Sequence, residues 1–209
     1  LEALEAKGKV ETAERLRSIG RDWRVTIVYQ DDPKGLGHAV GCARQAVGNE
    51  SFAVMLPDEL MSSSAVLAQM NGVCVATEGS VVAVVNVPRE QVSSYGVIDP
   101  AGELTHDGVI PVRDLVEKPK AEDAPSDLAI IGRYILTPDI FDVLEKTERG
   151  RGGEIQLTDG LRQLKQRRTV YGYQFEGVRH DAGNKLGFLK ATVEFALKRE
   201  DLGGPFRDY

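Results

Sequence analysis

The chain has 209 residues, 42% of them hydrophobic and 28% charged, and a formal net charge of −6. This composition is ordinary for a globular protein with one substantial core, and the negative charge argues against a nucleic-acid partner, because phosphate binding needs a basic surface. No apolar run approaches the roughly 20 residues of a membrane span, so we predict no membrane partner.

The chain opens on a charged, helix-like segment from Leu1 to about Ile19, without an initiator methionine or a secretory signal. Such a start suggests a polypeptide that enters its protein midway, and we expect residues 1–209 to form a single domain that is incomplete at the N-terminus. Cys42 and Cys74 lack metal-ligand spacing. We interpret them as buried, reduced thiols of a cytoplasmic protein.

The first α/β unit carries the most informative residues. Residues 25–29 (VTIVY) predict a strand that ends at Gln30, a Pro/Gly turn follows, an apolar-periodic helix begins at about Leu36, and residues 52–56 predict a second strand. In open α/β sheets, ligands bind beyond the carboxyl ends of the strands. We therefore expect three groups at this edge of the sheet: the side-chain amide of Gln30, the unobstructed backbone of Gly35 and the carboxylate of Asp58.

Helix and strand patterns alternate through the rest of the chain. Helices are predicted at residues 65–76 and 138–147, and a third is predicted to begin with Thr158 as its cap and to end at residue 165. Strands are predicted at residues 80–87, 95–99, 109–117, 128–136 and 169–176. The early alternation favours parallel pairing, and the strand-dense residues 95–136 favour antiparallel additions. We predict a three-layer α/β/α fold with a mixed, mostly parallel central sheet.

The last helix begins near Asn184, a plausible N-cap, and has apolar residues at helical spacing, among them Leu186, Leu189 and Val193. Burial in its own domain is the favoured explanation of this stripe, and a dimer interface is the alternative. We also predict a homo-oligomer.

Two acidic residues far apart in the sequence each lie at the edge between a strand and a loop. Asp58 follows a strand and a proline, and Asp181 lies just before the last helix. Two such carboxylates could converge on one Mg²⁺ ion, which usually takes one or two carboxylates together with substrate phosphates. The alternative for both is a turn or helix cap, and the local sequence favours the cap for Asp181.

Glu117-Lys118-Pro119 ends a predicted strand. Because side chains alternate along a strand, we expect Glu117 and Lys118 to face opposite ways and not to pair with each other. Lysine suits a phosphate, and glutamate accepts hydrogen bonds from hydroxyls; a solvated charge pair on an edge strand is the alternative. Gly96 marks either a close approach of a ligand or a plain turn.

Other motifs carry less information. Gly35 and Gly37 alone are a weak phosphate-loop pattern, and residues 151–159 are interpreted as a structural loop followed by a helix cap. The sequence shows no arrangement of serine or cysteine with histidine that would predict a nucleophilic catalyst. This favours a reaction in which the substrate brings its own nucleophile.

Six fragments in order across nearly the whole chain resemble the bacterial UTP–glucose-1-phosphate uridylyltransferases, within the sugar-nucleotide pyrophosphorylase family. They are Gln30 with residues 35–39 (GLGHA), 56–58 (LPD), 95–97 (YGV), 117–119 (EKP), 153–159 (GEIQLTD) and 181–187 (DAGNKLG). The form GLGHA is similar to the uridylyl branch rather than the thymidylyl branch. The resemblance implies a Rossmann-like nucleotidyltransferase fold.

It further implies an enzyme that converts UTP and glucose-1-phosphate into UDP-glucose and pyrophosphate. Asp58 and Asp181 would hold Mg²⁺ against the phosphates, and Lys118 would contact the sugar phosphate; these three are the expected catalytic residues. Gln30 and the Gly35 backbone would bind the uracil edge. Gly96 and Glu117 would form hydrogen bonds with the glucosyl hydroxyls.

Two parts of the family pattern do not occur in this sequence: a glycine-rich loop with Gly-x-Gly-Thr-Arg, and a lysine in a Pro-Lys-Glu segment. These elements bind the triphosphate and the departing pyrophosphate. We therefore expect the sheet to lack its N-terminal strands and this polypeptide alone to be catalytically incomplete. Two alternatives stay open: a nucleotide-sugar binding or regulatory module without turnover, and a sibling transferase for another nucleotide or sugar phosphate.

Overall fold

The computed structural model describes residues 2–18 and 23–209, and the chain divides into two compact units, Leu1–Asp31 and Asp32–Tyr209. The first unit contains two short helices, α1 (Glu2–Glu5) and α2 (Val10–Ser18). An ion pair of 2.6 Å between Glu5 and Arg17 joins them. The predicted limits of this helical segment, Leu1 and Ile19, lie outside the described residues. That residues 1–209 form a single domain remains a prediction.

The strand predicted at residues 25–29 is wrong. Residues 23–30 have no regular secondary structure, and the side chains of Val25, Ile27 and Tyr29 are 78%, 71% and 76% exposed. The β-branched composition made this run a strong candidate. An extended segment becomes a strand only where a neighbour supplies ladder hydrogen bonds, and no described strand pairs with this one.

The second unit contains the remaining described helices and strands. The strands are β1 (Phe52–Met55), β2 (Glu59–Met61), β3 (Ser80–Asn86), β4 (Gly96–Pro100), β5 (Val109–Glu117), β6 (Leu128–Leu136), β7 (Val170–Gln174) and β8 (Arg179–Asp181). The helices are α3 (Leu36–Cys42), α4 (Arg44–Val47), α5 (Val66–Thr77), α6 (Ile140–Leu144), α7 (Leu157–Leu164), α8 (Lys185–Lys198) and α9 (Gly203–Asp208). Short 3₁₀ turns span Arg89–Ser94 and Arg151–Gly153.

Six strands form a mixed sheet in the order β1-β6-β3-β7-β5-β4, and β2 and β8 form a separate two-stranded sheet. The mixed sheet is as predicted, but antiparallel pairings predominate among the described strands. There, β3–β7 is the parallel pair. The connections explain the difference, because no α-helix lies between β4, β5 and β6, and parallel neighbours need a crossover of about a dozen residues, usually a helix.

Helices cover both faces of the main sheet, as the three-layer prediction required. Side chains alternate along β3, so Val81 and Ala83 pack with Met70 of α5 on one face, whereas Val82 and Val84 belong to the cluster of α3, α6 and α7 on the other. Both cysteines are free, and Cys74 of α5 is buried as predicted, but Cys42 of α3 is only half-buried.

The apolar stripe of the last helix is not buried in this structure. Asn184 caps α8 as predicted, with its side-chain oxygen accepting a hydrogen bond of 2.8 Å from the Gly187 amide. The side chains of Leu186, Leu189 and Val193 are exposed, so the favoured prediction of burial is wrong; α8 packs mainly on β8 and α9. Within the described residues, no helix has both the length and the apolar character needed to cross a membrane.

Candidate active site

The structure brings the two predicted metal ligands together. Asp58 ends the turn between β1 and β2, and the register of the β2–β8 sheet places Glu59 opposite Asp181. The amide of Ala182 donates a hydrogen bond of 2.7 Å to the Asp58 carbonyl, which fixes the two segments side by side. Asp58 and Asp181 are thereby neighbours although they lie far apart in the sequence.

Their carboxylates border one small space that is left open by a glycine. A Cβ placed on Gly183 would lie 2.9 Å from Asp58 Oδ2 and 3.1 Å from Asp181 Oδ1. The Gly183 amide donates a hydrogen bond of 2.9 Å to the same Asp181 oxygen. Asn184 caps α8, whereas the Asp181 carboxylate caps the turn at Gly183, one of the two alternatives considered for it.

The donors at this space fit a hard divalent cation. Two carboxylates are what Mg²⁺ usually takes from a protein, and its remaining positions go to water and substrate phosphates. No cluster of three or more potential metal ligands of the histidine, cysteine, aspartate or glutamate type is found in the part of the chain that the structure describes. A cation held here would thus keep coordination positions open.

A cavity of about 170 Å³ lies in the same unit and contains both predicted sugar-binding residues. Gly96 and Glu117 are directly opposite each other in the β4–β5 ladder. A Cβ on Gly96 would lie 2.8 Å from Thr158 Oγ1 and 3.2 Å from Glu117 Oε2. The cavity is therefore open at this point because residue 96 has no side chain.

Most of the polar groups around the cavity come from residues that the sequence analysis did not assign to a site. Glu59, Tyr95, Gln156 and Thr158 all line it. Tyr134 lines it as well, and burial, reinforced by the charges of Glu117, Glu59 and Asp58, raises the pKa of its phenol far above the usual value. The phenol is thus neutral at physiological pH, and its oxygen can both donate and accept a hydrogen bond.

The opposite orientation predicted for Glu117 and Lys118 is wrong. The Lys118 backbone has φ +45°, in the left-handed region, so strand alternation stops there and Lys118 Nζ lies 3.8 Å from Glu117 Oε1. The Lys118 amide donates to the Tyr95 carbonyl at 2.9 Å, and Arg151 donates to the Lys118 carbonyl. A lysine in this conformation costs about 1–3 kcal/mol, and such strain concentrates at functional sites.

The loop at residues 150–156 holds the turn that contains Gly35. The Ile155 amide donates to the Lys34 carbonyl at 2.7 Å, and the Gly37 amide donates to the Ile155 carbonyl at 2.9 Å. Gly35 has φ +106°, and a Cβ there would lie 2.9 Å from the Ile155 carbonyl oxygen, so glycine is required on both grounds. These hydrogen bonds support the structural interpretation of the loop part of residues 151–159.

The second part of that motif faces the cavity. Helix α7 begins at Leu157 with Gln156 in the capping position, so the predicted cap at Thr158 is wrong. Thr158 lies in the first turn of the helix, where its hydroxyl faces Gly96. Gln30, the residue predicted to bind uracil, belongs to the first compact unit. Its role stays a prediction.

Two arginines near Asp58 were also missed, the buried Arg133 and the half-buried Arg179. Arg179 donates to both carboxylate oxygens of Glu59 at 2.6 and 2.5 Å, to the Tyr95 hydroxyl at 3.3 Å, and stacks over the Tyr95 ring. Burial lowers the pKa of Arg179, but the hydrogen bonds and charge of Glu59 outweigh it and the net shift is upward. Arg133 interrupts the apolar pattern of β6, and this interruption is the sequence feature that could have singled it out.

Comparison with known proteins identifies relatives along nearly the whole chain. The family described as nucleotidyl transferase matches residues 4–197. A UTP–glucose-1-phosphate uridylyltransferase of Staphylococcus epidermidis is 45% identical over 200 residues, which cover 95% of this chain and 69% of the relative. The Bacillus subtilis enzyme of the same name is 44% identical over 201 residues, 95% of this chain and 68% of the relative.

Solved structures agree with these relatives. A UDP-glucose pyrophosphorylase complexed with UDP-glucose superposes with a TM-score of 0.78 at 45% identity, covering 83% of this chain and 66% of that structure. The UDP-glucose pyrophosphorylase from Acinetobacter baumannii gives 0.87 at 35% identity, covering 99% and 72%. The chain thus spans about two thirds of the length of its relatives. By sequence and by fold, the chain belongs to the nucleotidyl transferase family, among the UTP–glucose-1-phosphate uridylyltransferases.

Proposed function

We propose that this chain provides the metal and sugar sites of an enzyme that transfers the uridylyl group of UTP to glucose-1-phosphate, giving UDP-glucose and pyrophosphate. The observation that carries the proposal is the pair of carboxylates facing the space at Gly183, in the same unit as the cavity of Gly96 and Glu117. The names of the relatives and of the structure complexed with UDP-glucose support the choice of substrates.

The reaction needs little from the protein in the way of proton transfer. An oxygen of the phosphate of glucose-1-phosphate attacks the α-phosphorus of UTP, the bond from that phosphorus to the bridging oxygen breaks, and pyrophosphate leaves. The attacking oxygen is already ionised at neutral pH, so no general base is required. Positioning and charge neutralisation carry the catalysis.

Asp58 and Asp181 would hold Mg²⁺, which when bound neutralises phosphate charge and orients the phosphates. Lys118 would hold the phosphate of the sugar. Its backbone is fixed by the hydrogen bond to Tyr95 and by Arg151, so its ammonium group is presented from a rigid turn. The paired Glu117 keeps this ammonium near the cavity in the absence of a phosphate.

The cavity would bind the glucosyl group. Glu117 and Gln156 offer acceptors for sugar hydroxyls, Thr158 and the neutral phenol of Tyr134 can donate or accept, and Gly96 leaves room for the ring. We assign uracil binding to Gln30 and the backbone of Gly35. The turn at Gly35, which the loop at residues 150–156 holds by hydrogen bonds, supports the second assignment, because a rigid backbone can keep a base edge in one position.

A cytoplasmic location and a homo-oligomer complete the proposal. The location rests on the two free thiols and on the nature of the substrates. The oligomer rests on the exposed apolar side chains of α8, which a second subunit would cover. Light scattering at several protein concentrations tests the oligomer, and a monomer at every concentration would exclude it.

Calorimetric titration with UDP-glucose, with and without Mg²⁺, tests the function. We expect binding that depends on Mg²⁺ and is stronger than that of dTDP-glucose. Asp58→Asn should abolish the effect of Mg²⁺, whereas the matched change Asp107→Asn, in an exposed hairpin turn, should leave it intact. Binding of both sugar nucleotides with equal affinity and without any metal effect would contradict the proposal.

A further inference from the structure

Arg133 is a buried cation in the middle of an apolar strand. Its residue is only 7% exposed, and its neighbours along β6 include Ile131, Tyr134 and Ile135, all of them buried. Burying a guanidinium costs several kcal/mol before its interactions are counted. A guanidinium in a core position has to recover this cost through its hydrogen bonds.

The hydrogen bonds of Arg133 converge on the turn that carries Asp58. Nη1 donates to the Leu56 carbonyl at 2.9 Å and to the Gly132 carbonyl at 2.8 Å, and Nη2 donates to the Glu59 carbonyl. Leu56 and Glu59 flank the Pro57-Asp58 dipeptide on its two sides. One planar guanidinium therefore holds both ends of the turn at a fixed separation.

Other bonds also restrain this turn, among them the hydrogen bond of 2.7 Å from the Ala182 amide to the Asp58 carbonyl. The Glu59 amide makes a long hydrogen bond of 3.3 Å to the Leu56 carbonyl, and the Leu56 amide donates to Gly132 at 2.9 Å. A guanidinium is suited to this task because its donors lie in one rigid plane, which a lysine ammonium does not reproduce. Burial lowers the pKa of Arg133, and the charges of Glu59 and Asp58 offset only part of this shift.

We propose that Arg133 is a positioning residue for the metal site, which clamps the carbonyls of Leu56 and Glu59 and so aims the Asp58 carboxylate at the cation it shares with Asp181. This inference rests on the proposed function, since it requires that Asp58 binds a metal. A carboxylate ligand must be held to within about 0.5 Å for effective binding. Loss of a group that orients a ligand typically costs 10- to 100-fold in metal affinity.

The experiment measures Mn²⁺ affinity of the purified chain by electron paramagnetic resonance, which needs no turnover. We expect Arg133→Lys to weaken Mn²⁺ binding on the order of 10- to 100-fold. The matched control is Arg89→Lys, because Arg89 also donates to backbone carbonyls, those of Ala124 and Ser126, but away from this turn. The Arg89→Lys variant should bind Mn²⁺ with the same affinity as the unchanged chain.

A purely structural role for Arg133 would give a different result: a lower melting temperature with unchanged Mn²⁺ affinity of the folded protein. That outcome would overturn the inference. If Arg133→Lys does not fold, Arg133→Met replaces it, because an apolar side chain of similar length removes the cost of burying a charge. The same loss of affinity is expected for this variant, and an unchanged affinity would again overturn the inference.

Asp58→Asn separates this inference from the proposed function. If Asp58→Asn leaves Mn²⁺ binding unchanged, the metal role of Asp58 is wrong, and the role of Arg133 fails with it. If Asp58→Asn weakens binding and the Arg133 variants do not, the metal site stands and only the positioning role fails.

Discussion

Gly183→Ala is the most direct test of the metal site, because it adds one methyl group between the two carboxylates. The new Cβ would lie 2.9 Å from Asp58 Oδ2 and 3.1 Å from Asp181 Oδ1. A Cβ essentially never approaches another atom closer than 3.0 Å, so the Asp58 carboxylate must shift, and that of Asp181 must yield by a few tenths of an ångström.

A displacement of this size matters differently for different cations. Mg²⁺ demands nearly ideal octahedral geometry at about 2.0–2.1 Å, whereas Ca²⁺ accepts flexible geometry at about 2.3–2.6 Å. We expect Mg²⁺ affinity to fall about 10- to 100-fold, the range found when ligands lose their orientation, which is about 1.4–2.8 kcal/mol. Ca²⁺ affinity should fall less. Residue 183 is exposed, so the free energy of unfolding should change by less than about 0.5 kcal/mol.

Calorimetric titration with each cation measures both affinities, and thermal unfolding checks the fold. Gly102→Ala is the matched control, because a Cβ at that position meets nothing within 4 Å. Equal Mg²⁺ affinities of the Gly183→Ala and Gly102→Ala variants would refute the reasoning. So would an equal loss for Mg²⁺ and Ca²⁺, because it would mean that the methyl group acts through something other than coordination geometry.

Three further predictions concern the cavity, the strained turn and an ion pair. Gly96→Ala should raise KM for glucose-1-phosphate on the order of tenfold, because the added methyl group fills part of the cavity. Mg²⁺ affinity should not change. Steady-state kinetics of the complete enzyme measure KM, and calorimetric titration measures Mg²⁺ affinity. Lys118→Gly should raise the free energy of unfolding by about 1 kcal/mol, because glycine adopts the positive φ without strain. The same change should lower kcat on the order of 10²–10³-fold. Unchanged turnover would show that Lys118 is not a catalytic residue. Burial raises the pKa of Asp114, but hydrogen bonds from Arg162 outweigh it and the net shift is downward. The stability from this pair is therefore complete above the ordinary aspartate pKa and lost as pH falls through the lowered one, so the melting temperatures of the unchanged chain and Asp114→Asn should converge in acid.

That Asp58 and Asp181 lie at strand ends was predictable in part, because strand ends determine positions within a fold. Asp58 comes after β1, as the apolar run at residues 52–56 predicted, whereas β8, which ends at Asp181, is a strand that the sequence analysis did not predict. Gly96 and Glu117 were predictable for a similar reason, since both lie at the ends of strands that pair with each other. For these residues, local pattern and tertiary position agree.

Other features depend on contacts that no local pattern contains. The run at residues 25–29 has the composition of a strand, but pairing decides whether a strand forms, and pairing is not encoded in the run itself. The orientation of Lys118 depends on a single left-handed φ, which strand alternation cannot predict for a lysine. Thr158 was recognised as a polar residue at a helix start, but only the position of β4 shows that its hydroxyl faces the cavity.

The carboxylates of Asp58 and Asp181, the proposed metal ligands, lie at a small sheet that needs support from the rest of the second unit, and two arginines supply it. Strands β2 and β8 have three residues each and form a two-stranded sheet, an arrangement that is marginal in isolation. Arg133 joins the turn before β2 to the main sheet through β6, and Arg179 joins β8 to Glu59 at the start of β2. Because these links are directional hydrogen bonds rather than apolar packing, a change in either arginine alters the geometry of the carboxylates first. Substitutions that remove them should therefore weaken metal binding by a larger factor than substitutions of buried apolar residues that cause the same loss of stability.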